Sequence, residues 1–217
     1  MKVSAPKTVN IHETALAATG VARHIHPIAP TAWAAPVLWL TGLSGAGKST
    51  LAIGASRLLE RRGFRTIVID GDALRAGLSK DLGFSAEDRA ESVRRASEVA
   101  ALCSRAGITT FVALVSPFEI DRANARAAVG GLFHEVYVDT DYATCRARDP
   151  KGLYKLAEQG KIRNFTGLDS PYEAPAHPDL VVSTMSEDPA ASILKLATYA
   201  MHASLHSPLE SLPAASA

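Results

Sequence analysis

The apolar residues of this chain fall into short blocks that alternate with segments of helical spacing. Residues 37–40 (VLWL), 66–69 (TIVI), 108–115, 134–138 and 180–183 are rich in β-branched, aliphatic and aromatic side chains, and each block predicts a strand. Between the blocks, apolar side chains recur every three or four positions, which predicts amphipathic helices. The alternation predicts an α/β fold, a doubly wound parallel sheet with helices on both faces.

Four segments have the spacing of helices, and local signals mark several of their ends. The first ends at Arg61-Arg62-Gly63, where basic residues precede a terminating glycine. The second begins after Ser85, an N-cap with Asp88 three residues later, and ends at Gly107. A third covers residues 121–129, and the last begins at Pro189. The predicted core-facing residues are Leu51, Ala55, Leu58 and Leu59 in the first helix, Val93, Ala96, Val99, Ala100 and Leu102 in the second, and Ile193, Leu194, Ala197 and Met201 in the last.

Three stretches depart from this alternation. Residues 1–36 contain several prolines and no sustained period, which predicts an irregular N-terminal extension before one domain at 37–203. Residues 149–178 are rich in glycine and proline, and we expect them to lack regular structure and to form a lid. Residues 204–217 are rich in serine, proline and alanine, and they predict a flexible tail.

The composition of the chain indicates which partners and which cellular location to expect. Lys and Arg number 23 against 22 Asp and Glu, so the net charge of +1 gives no global attraction for nucleic acid or anionic membranes. The two cysteines, Cys103 and Cys145, lie in segments with helical character and are predicted to be reduced thiols. The N-terminus has no uninterrupted apolar leader, and we expect a cytoplasmic protein without a membrane span. His12, His24 and His26 lack a companion cluster of cysteines or carboxylates, so we predict no metal site there.

A glycine-rich stretch follows the first predicted strand directly. Residues 42–49, GLSGAGKS, have the spacing G-x-x-x-x-G-K-[ST] of a P-loop, whose backbone N–H groups surround a phosphate. Lys48 can then reach the β- and γ-phosphates, the Ser49 hydroxyl can bind Mg²⁺, and the following helix adds its positive dipole end. An ordinary glycine-rich turn is the alternative, but strand, loop and helix follow in the order that a phosphate site requires.

Two aspartates follow the second predicted strand, at the edge where parallel sheets bind ligands. Asp70 and Asp72 suit a small-molecule kinase, in which one carboxylate holds Mg²⁺ through water and the other orients an acceptor hydroxyl. The chain has no N-K-x-D tetrapeptide for reading guanine and no strand ending in the Asp-Glu pair of water-activating ATPases. These features favour a small-molecule kinase over a GTPase switch or an ATP-hydrolysing motor protein.

Four arginines come after the aspartates: Arg75, Arg89, Arg94 and Arg95. They indicate an anionic acceptor, with a solvated helix face as the alternative. Arg94 and Arg95 are adjacent and point about 100° apart on a helix, so they cannot face one ligand in the same way. We therefore favour Arg75 and Arg89 as ligand-binding residues.

Together these stretches resemble the adenylylsulfate kinase (APS kinase) family. The resemblance extends over residues 37–180 and rests on GLSGAGKST, DGDALRAGLSKDLGFSAEDRAESVRRASEVA, SPFEIDR and CRARDPKGLYKLAEQGKIRNFTGLDSPYEAP. It implies a P-loop kinase that uses ATP and Mg²⁺ to phosphorylate the ribose 3′-hydroxyl of adenosine 5′-phosphosulfate (APS), giving 3′-phosphoadenosine 5′-phosphosulfate (PAPS) and ADP in sulfate assimilation.

The resemblance also implies roles for individual residues. ATP contacts are implied for Gly42, Ser44, Gly45, Ala46, Gly47, Lys48, Ser49, Thr50 and Arg148, and Mg²⁺ contacts for Ser49 and Asp70. APS contacts are implied for Asp72, Arg75, Phe84, Arg89, Ser92, Val115, Ser116, Lys151, Leu153 and Phe165. Phe84 and Phe165 would enclose the acceptor adenine, with core packing as the alternative for both rings. Catalytic roles are implied for Lys48, Asp70, Asp72 and Ser116; for Ser116 we favour a hydrogen bond over a phosphoserine relay.

The chain departs from the family pattern at three places. Ser92 stands where the family has asparagine, Glu119 stands near the predicted pocket where an arginine is common, and residues 1–36 lack the usual lead-in. Two alternatives therefore stay open: another P-loop small-molecule kinase, and a non-catalytic nucleotide-binding subunit of a sulfate-activating complex. We expect a homodimer, and association with ATP sulfurylase is left open.

Overall fold

The computed structural model describes residues 34–185 and 187–205, in which five strands alternate with seven helices. The strands are β1 (Val37–Thr41), β2 (Thr66–Asp70), β3 (Thr109–Ala113), β4 (Phe133–Asp139) and β5 (Leu180–Ser183). The helices are α1 (Lys48–Glu60), α2 (Gly71–Ala76), α3 (Ala86–Arg105), α4 (Glu119–Val129), α5 (Tyr142–Arg148), α6 (Leu153–Glu158) and α7 (Pro189–Leu205).

The five strands form one parallel sheet in the order β2-β3-β1-β4-β5. The central strand β1 pairs Trp39 with Val112 of β3 on one side and with Glu135 of β4 on the other. The chain fills one half of the sheet first and then crosses β1 to fill the other, which creates a crevice at the carboxyl ends of the strands. The prediction of a doubly wound parallel sheet is confirmed.

Two hydrophobic cores cover the two faces of the sheet. Side chains of a strand alternate between faces, so Leu38 and Leu40 join one core and Val37 and Trp39 join the other. The first core is completed by α1 and α7, and the second by α3 and α4. All residues of β1 are buried, which explains why this strand has no alternation of apolar and polar residues.

Several predicted element ends are confirmed. The Ser85 side chain accepts a hydrogen bond from the Asp88 N–H at 3.1 Å and caps α3. Gly63 follows α1 with a φ of 85°, as a terminating glycine does. The last helix begins at Pro189, and Cys103 and Cys145 are both free thiols.

Other predicted details are wrong. Residues 149–178 are not wholly irregular, because they contain α6, whose first N–H groups are bound by the Asp149 carboxylate. The strand predicted at 108–115 is shorter, since the chain leaves the sheet after Ala113. Leu102 and Leu194 are 62% and 53% exposed, although both were predicted to face the core.

Two predicted segments fall mostly outside the described residues. The extension at 1–36 is described only from residue 34, and His12, His24 and His26 precede that point. The tail at 204–217 is described only to Leu205, which still belongs to α7. Within 34–185 and 187–205, no helix combines the length and apolar character needed to cross a membrane.

Candidate active site

The P-loop follows β1 and depends on glycine at specific positions. Gly42, Gly45 and Gly47 have φ values of 147°, 79° and 99°, which side chains disfavour. A Cβ at Gly42 would lie 2.6 Å from the Val138 carbonyl oxygen, so the loop is also packed tightly against the end of β4. Gly47 precedes α1 without a side-chain cap, which leaves the first N–H groups of the helix for an anion.

Lys48 is buried, and its ammonium group is held by the loop itself. Nζ donates hydrogen bonds to the carbonyl oxygens of Gly42 at 2.8 Å and Leu43 at 2.7 Å. Burial lowers the Lys48 pKa from 10.5 to about 8; the charge of Lys151 also lowers it, whereas Asp70 and Asp72 raise it. An anion bound at the loop would favour the charged form of this lysine.

The two aspartates point at different partners. Asp70 ends β2, and its Oδ2 accepts a hydrogen bond from the Ser49 hydroxyl at 2.5 Å, while its Oδ1 caps α2 by accepting from the Asp72 N–H at 2.9 Å. The Asp72 carboxylate is exposed and pairs with the Lys151 ammonium group. Asp70 thus faces the P-loop, and Asp72 faces the segment at 149–178.

The contact between Ser49 and Asp70 fits a magnesium site. A hydroxyl oxygen and a carboxylate oxygen are the hard ligands that Mg²⁺ prefers, and Mg²⁺ usually keeps several water or phosphate ligands besides one or two from the protein. Among residues 34–185 and 187–205, no group of three or more His, Cys, Asp or Glu could hold a metal by protein ligands alone. The donor set therefore suits a metal bound together with a nucleotide.

Arg75 and Arg89, which both lie close to the Phe84 ring, form with it a group beside the solvent-exposed Asp72 that we call the cationic wall. The guanidinium carbon of Arg75 lies 4.1 Å from the centre of the Phe84 ring, and that of Arg89 lies 5.6 Å from it. Arg89 is buried and donates to the backbone carbonyls of Phe84 at 3.1 Å and Asn164 at 2.8 Å. Burial lowers the pKa of both arginines, but guanidinium groups stay charged.

Arg94 and Arg95 are engaged elsewhere, as expected. Arg94 pairs with Glu91 on the exposed face of α3, and Arg95 pairs with Glu91 and Asp81. Neither lines the cavity described below.

The segment at 149–178 packs over the P-loop and reaches the cationic wall. The Tyr154 hydroxyl donates to the Ser44 carbonyl at 2.9 Å, and the Phe165 ring packs edge-on against Tyr154 with 4.9 Å between ring centres. Phe165 is buried in the first core and also lines the cavity, whereas Phe84 is 46% exposed. The two predicted roles for Phe165, core packing and ligand contact, are therefore compatible.

One cavity of about 640 Å³ joins these parts. It is lined by the predicted residues Ser44, Gly45, Gly47, Lys48, Ser49, Thr50, Asp70, Asp72, Arg75, Phe84, Arg89, Ser92, Val115, Ser116, Arg148, Lys151, Leu153 and Phe165. Gly42 and Ala46 are predicted residues that do not line it: Gly42 forms the turn, and the Ala46 carbonyl accepts from the Thr184 hydroxyl at 2.9 Å.

Several residues at the β5 end of the cavity were not predicted from the sequence. Thr184, Glu187, Pro189 and Ser192 line it together with Arg148, whose guanidinium donates to the Thr184 carbonyl at 2.6 Å. Thr184 directly follows β5, so the rule that ligands bind at carboxyl ends of parallel strands could have found it. Thr166 was also missed; it is buried, lines the cavity, and its Oγ1 has no hydrogen-bond partner within the described residues.

The two departures inside the described residues have different settings. Ser92 is buried and lines the cavity, and its hydroxyl makes a long contact of 3.5 Å with the Ser79 hydroxyl. Glu119 is exposed at the start of α4 and is not among the residues that line the cavity, although Pro117, two positions earlier, lines it. Its backbone N–H donates to the Glu173 carboxylate at 2.6 Å, so this position serves the helix end.

Comparison with known proteins identifies the family of this chain. A family model described as Adenylylsulphate kinase matches residues 34–183, which contain every element from β1 to β5. The chain belongs to the adenylylsulphate kinase family. The resemblance inferred from the sequence motifs is thereby confirmed.

Individual members of the adenylylsulphate kinase family match at high identity. The Adenylyl-sulfate kinase of Clostridium acetobutylicum is 53% identical over 151 residues, which is 70% of this chain and 76% of that protein. The Adenylyl-sulfate kinase of Pseudomonas aeruginosa is 49% identical over 164 residues, which is 75% of this chain and 84% of that protein. The Mycobacterium tuberculosis APS kinase CysC, solved with AMPPNP and APS, is 41% identical with a TM-score of 0.74, covering 78% of this chain and 99% of that chain.

Proposed function

We propose that the protein is a kinase that transfers the γ-phosphoryl group of ATP to the ribose 3′-hydroxyl of APS, giving PAPS and ADP. The observation that carries the proposal is one cavity that joins a P-loop, two strand-end aspartates and a wall of arginine and phenylalanine, in a chain of the adenylylsulphate kinase family. A phosphate-binding loop alone would fit many reactions, and the wall beside Asp72 is what selects an anionic aromatic acceptor.

The P-loop half of the cavity suits ATP. Backbone N–H groups at the start of α1 and the Lys48 ammonium group would hold the β- and γ-phosphates, and Arg148, which lines the cavity, would stack on the adenine. Ser49 and Asp70 would hold Mg²⁺, which neutralises charge on the phosphates when bound. Burial of Lys48 strengthens its attraction for the phosphoryl group that is transferred.

The β2 half of the cavity suits APS. Arg75 and Arg89 supply two positive charges for the phosphosulfate, and Phe84 and Phe165 offer aromatic surfaces for the adenine. Asp72 would orient the 3′-hydroxyl, and positioning matters more than basicity because the loose transition state of phosphoryl transfer requires little deprotonation. Lys151, which pairs with Asp72, would bring the lid at 149–178 over the acceptor.

The assay is consumption of ATP by the purified protein with and without APS, coupled to separation of PAPS by chromatography. We expect one ADP and one PAPS per cycle and no turnover without APS. Adenosine monophosphate, which lacks the sulfate, is the matched control acceptor. Turnover with an unrelated small molecule and none with APS would favour another kinase, and no turnover with any acceptor would favour a nucleotide-binding subunit.

We also propose a cytoplasmic homodimer that can associate with ATP sulfurylase. These statements rest on the family and on the two free cysteines, which suit a reducing compartment. Light scattering of the purified chain tests the dimer, and co-elution with the sulfurylase tests the association.

A further inference from the structure

Ser116 has an unusual backbone conformation at the end of β3. Its φ of 38° lies in the left-handed region that residues with side chains rarely adopt, and Pro117 follows it. Such conformations persist where the surrounding structure fixes them, and they concentrate at functional sites. Ser116 is buried and lines the cavity, so the contacts that hold it in this conformation also determine how it is presented to a ligand.

Three side chains from other elements hold the turn at Ser116. The Arg122 guanidinium donates to the Ser116 carbonyl at 2.9 Å, and the Thr41 hydroxyl donates to the Val115 carbonyl at 2.7 Å. The indole N–H of Trp39 donates to the Ser116 hydroxyl oxygen at 3.1 Å. Trp39 lies in the centre of the sheet, fully buried, and reaches Ser116 across 77 positions of sequence.

The chemistry of this last hydrogen bond is directional. An indole nitrogen can only donate, so Trp39 occupies a lone pair of the serine oxygen and leaves the serine proton without an acceptor from Trp39. Within residues 34–185 and 187–205, the Ser116 hydroxyl has no other hydrogen-bond partner. A nearly buried hydroxyl with an unused proton beside a cavity is placed to donate that proton to a ligand.

The position of Ser116 indicates which ligand receives the bond. β3 pairs with β2, with Ala113 in register with Asp70, so the turn after β3 lies beside the strand end that carries the aspartates. Arg148 and Thr184 belong to the opposite half, after β4 and β5. The turn that carries Ser116 therefore borders the acceptor half of the cavity.

We propose that Trp39 is a positioning residue that presents the Ser116 hydroxyl as a hydrogen-bond donor to the acceptor nucleotide. The inference rests on the proposed function, because it assumes that APS fills the β2 half of the cavity. It also bears on the phosphoserine relay. A serine nucleophile needs a base to accept its proton, whereas the described partner of Ser116 is a donor that draws electron density from the oxygen.

The kinetic test compares Ser116→Ala, Trp39→Phe and the double variant. Each single variant should raise KM for APS roughly threefold to tenfold, the scale of one lost hydrogen bond, with KM for ATP within about twofold of wild type. The double variant should be no worse than Ser116→Ala, because Trp39 acts through Ser116. Independent effects that multiply in the double variant, or an unchanged KM for APS in Trp39→Phe, would overturn the proposal.

Phe133→Leu is the matched control for packing. Phe133 shares the second core with Trp39, with 5.5 Å between ring centres, and has no hydrogen bond from its side chain to Ser116. This variant should lower stability and leave KM for APS unchanged. An equal rise of KM in Phe133→Leu would show that core packing, and not the indole N–H, controls the site.

A spectroscopic measurement tests the hydrogen bond without turnover. The chain has two tryptophans, so the indole N–H resonance of Trp39 is assigned as the one lost in Trp39→Phe. In Ser116→Ala this resonance should move upfield in the proton dimension and exchange faster with solvent; an unchanged resonance would refute the contact. Absence of APS-dependent turnover in the wild type would reject the proposed function. The Trp39 resonance tests the hydrogen bond to Ser116 independently of that activity.

Discussion

Binding of ATP should weaken as the pH rises above 8, because of the burial of Lys48. Its ammonium group is desolvated beneath the P-loop, and its pKa falls from 10.5 to about 8. Phosphate groups placed beside Lys48 favour the charged form and raise the pKa of the bound state. Binding above pH 8 must therefore take up a proton, and the affinity for ATP falls as that proton becomes scarce.

The size of the effect follows from the charged fraction of the free protein. With the pKa at about 8, roughly 90% of Lys48 is charged at pH 7 and roughly 10% at pH 9. If the bound lysine stays charged, the Kd for ATP rises about tenfold over this range. Calorimetry without acceptor, in buffers of different ionisation enthalpy, should detect uptake of close to one proton per ATP at pH 9.

Lys48→Ala is the control for this linkage. The variant should bind ATP more weakly at every pH, and its Kd should not depend on pH between 7 and 9, since the titrating group is gone. An equal slope in Lys48→Ala, or a wild-type Kd that is constant from pH 7 to 9, would show that Lys48 is fully charged in the free protein and that the argument from burial is wrong.

Further predictions concern the aspartates, a buried ion pair and the lid. Asp72→Asn should keep ATP affinity and lower kcat by roughly 100-fold or more, whereas Asp70→Asn should raise the Mg²⁺ concentration for half-maximal rate; exchanged effects would exchange the two roles. Arg122→Met should lower the free energy of unfolding in urea by about 3 kcal/mol, because the largely shielded Glu135, 2.6 Å away, keeps a contact of 3.9 Å with Arg126 and the Ser116 carbonyl loses a hydrogen bond, whereas the exposed control Arg94→Met should cost under about 0.5 kcal/mol. Tryptic cleavage within residues 149–170 should slow only with both nucleotides bound, and equal cleavage in the free and ternary states would count against a lid.

The sequence was sufficient to predict features that depend on contacts between residues close together in the chain. The N-cap of Ser85 with Asp88, the proline start of α7 and the glycine spacing of the P-loop depend on residues within a few positions. The strand prediction at 180–183 agrees with β5, and the alternation of elements predicted the parallel sheet. For the same reason the residues around the P-loop and the first aspartate could be named from the sequence.

Helix faces were harder to predict than helix positions. Leu194 is exposed, while Leu196 and Ala200 of the same helix are buried, because the contact with α1 and the sheet selects one of two adjacent apolar stripes. The helix α6 was missed because its six residues are too few for a periodic pattern, and burial of Tyr154 and Ala157 stabilises it.

The sequence by itself determined the phosphate-binding loop, the two aspartates and the succession of the five strands and the four longest helices, since each depends on short spacings and on local periodicity. Only the tertiary structure decided which distant side chains meet. Trp39 reaches Ser116, Lys151 reaches Asp72 and Arg89 reaches the Asn164 carbonyl across 77, 79 and 75 positions. No local sequence pattern predicts these contacts, because the order of the strands in the sheet and the packing of residues 149–178 create them. They connect the lid segment and the turn after β3 to the residues beside the P-loop, and so form a cavity with two distinct halves.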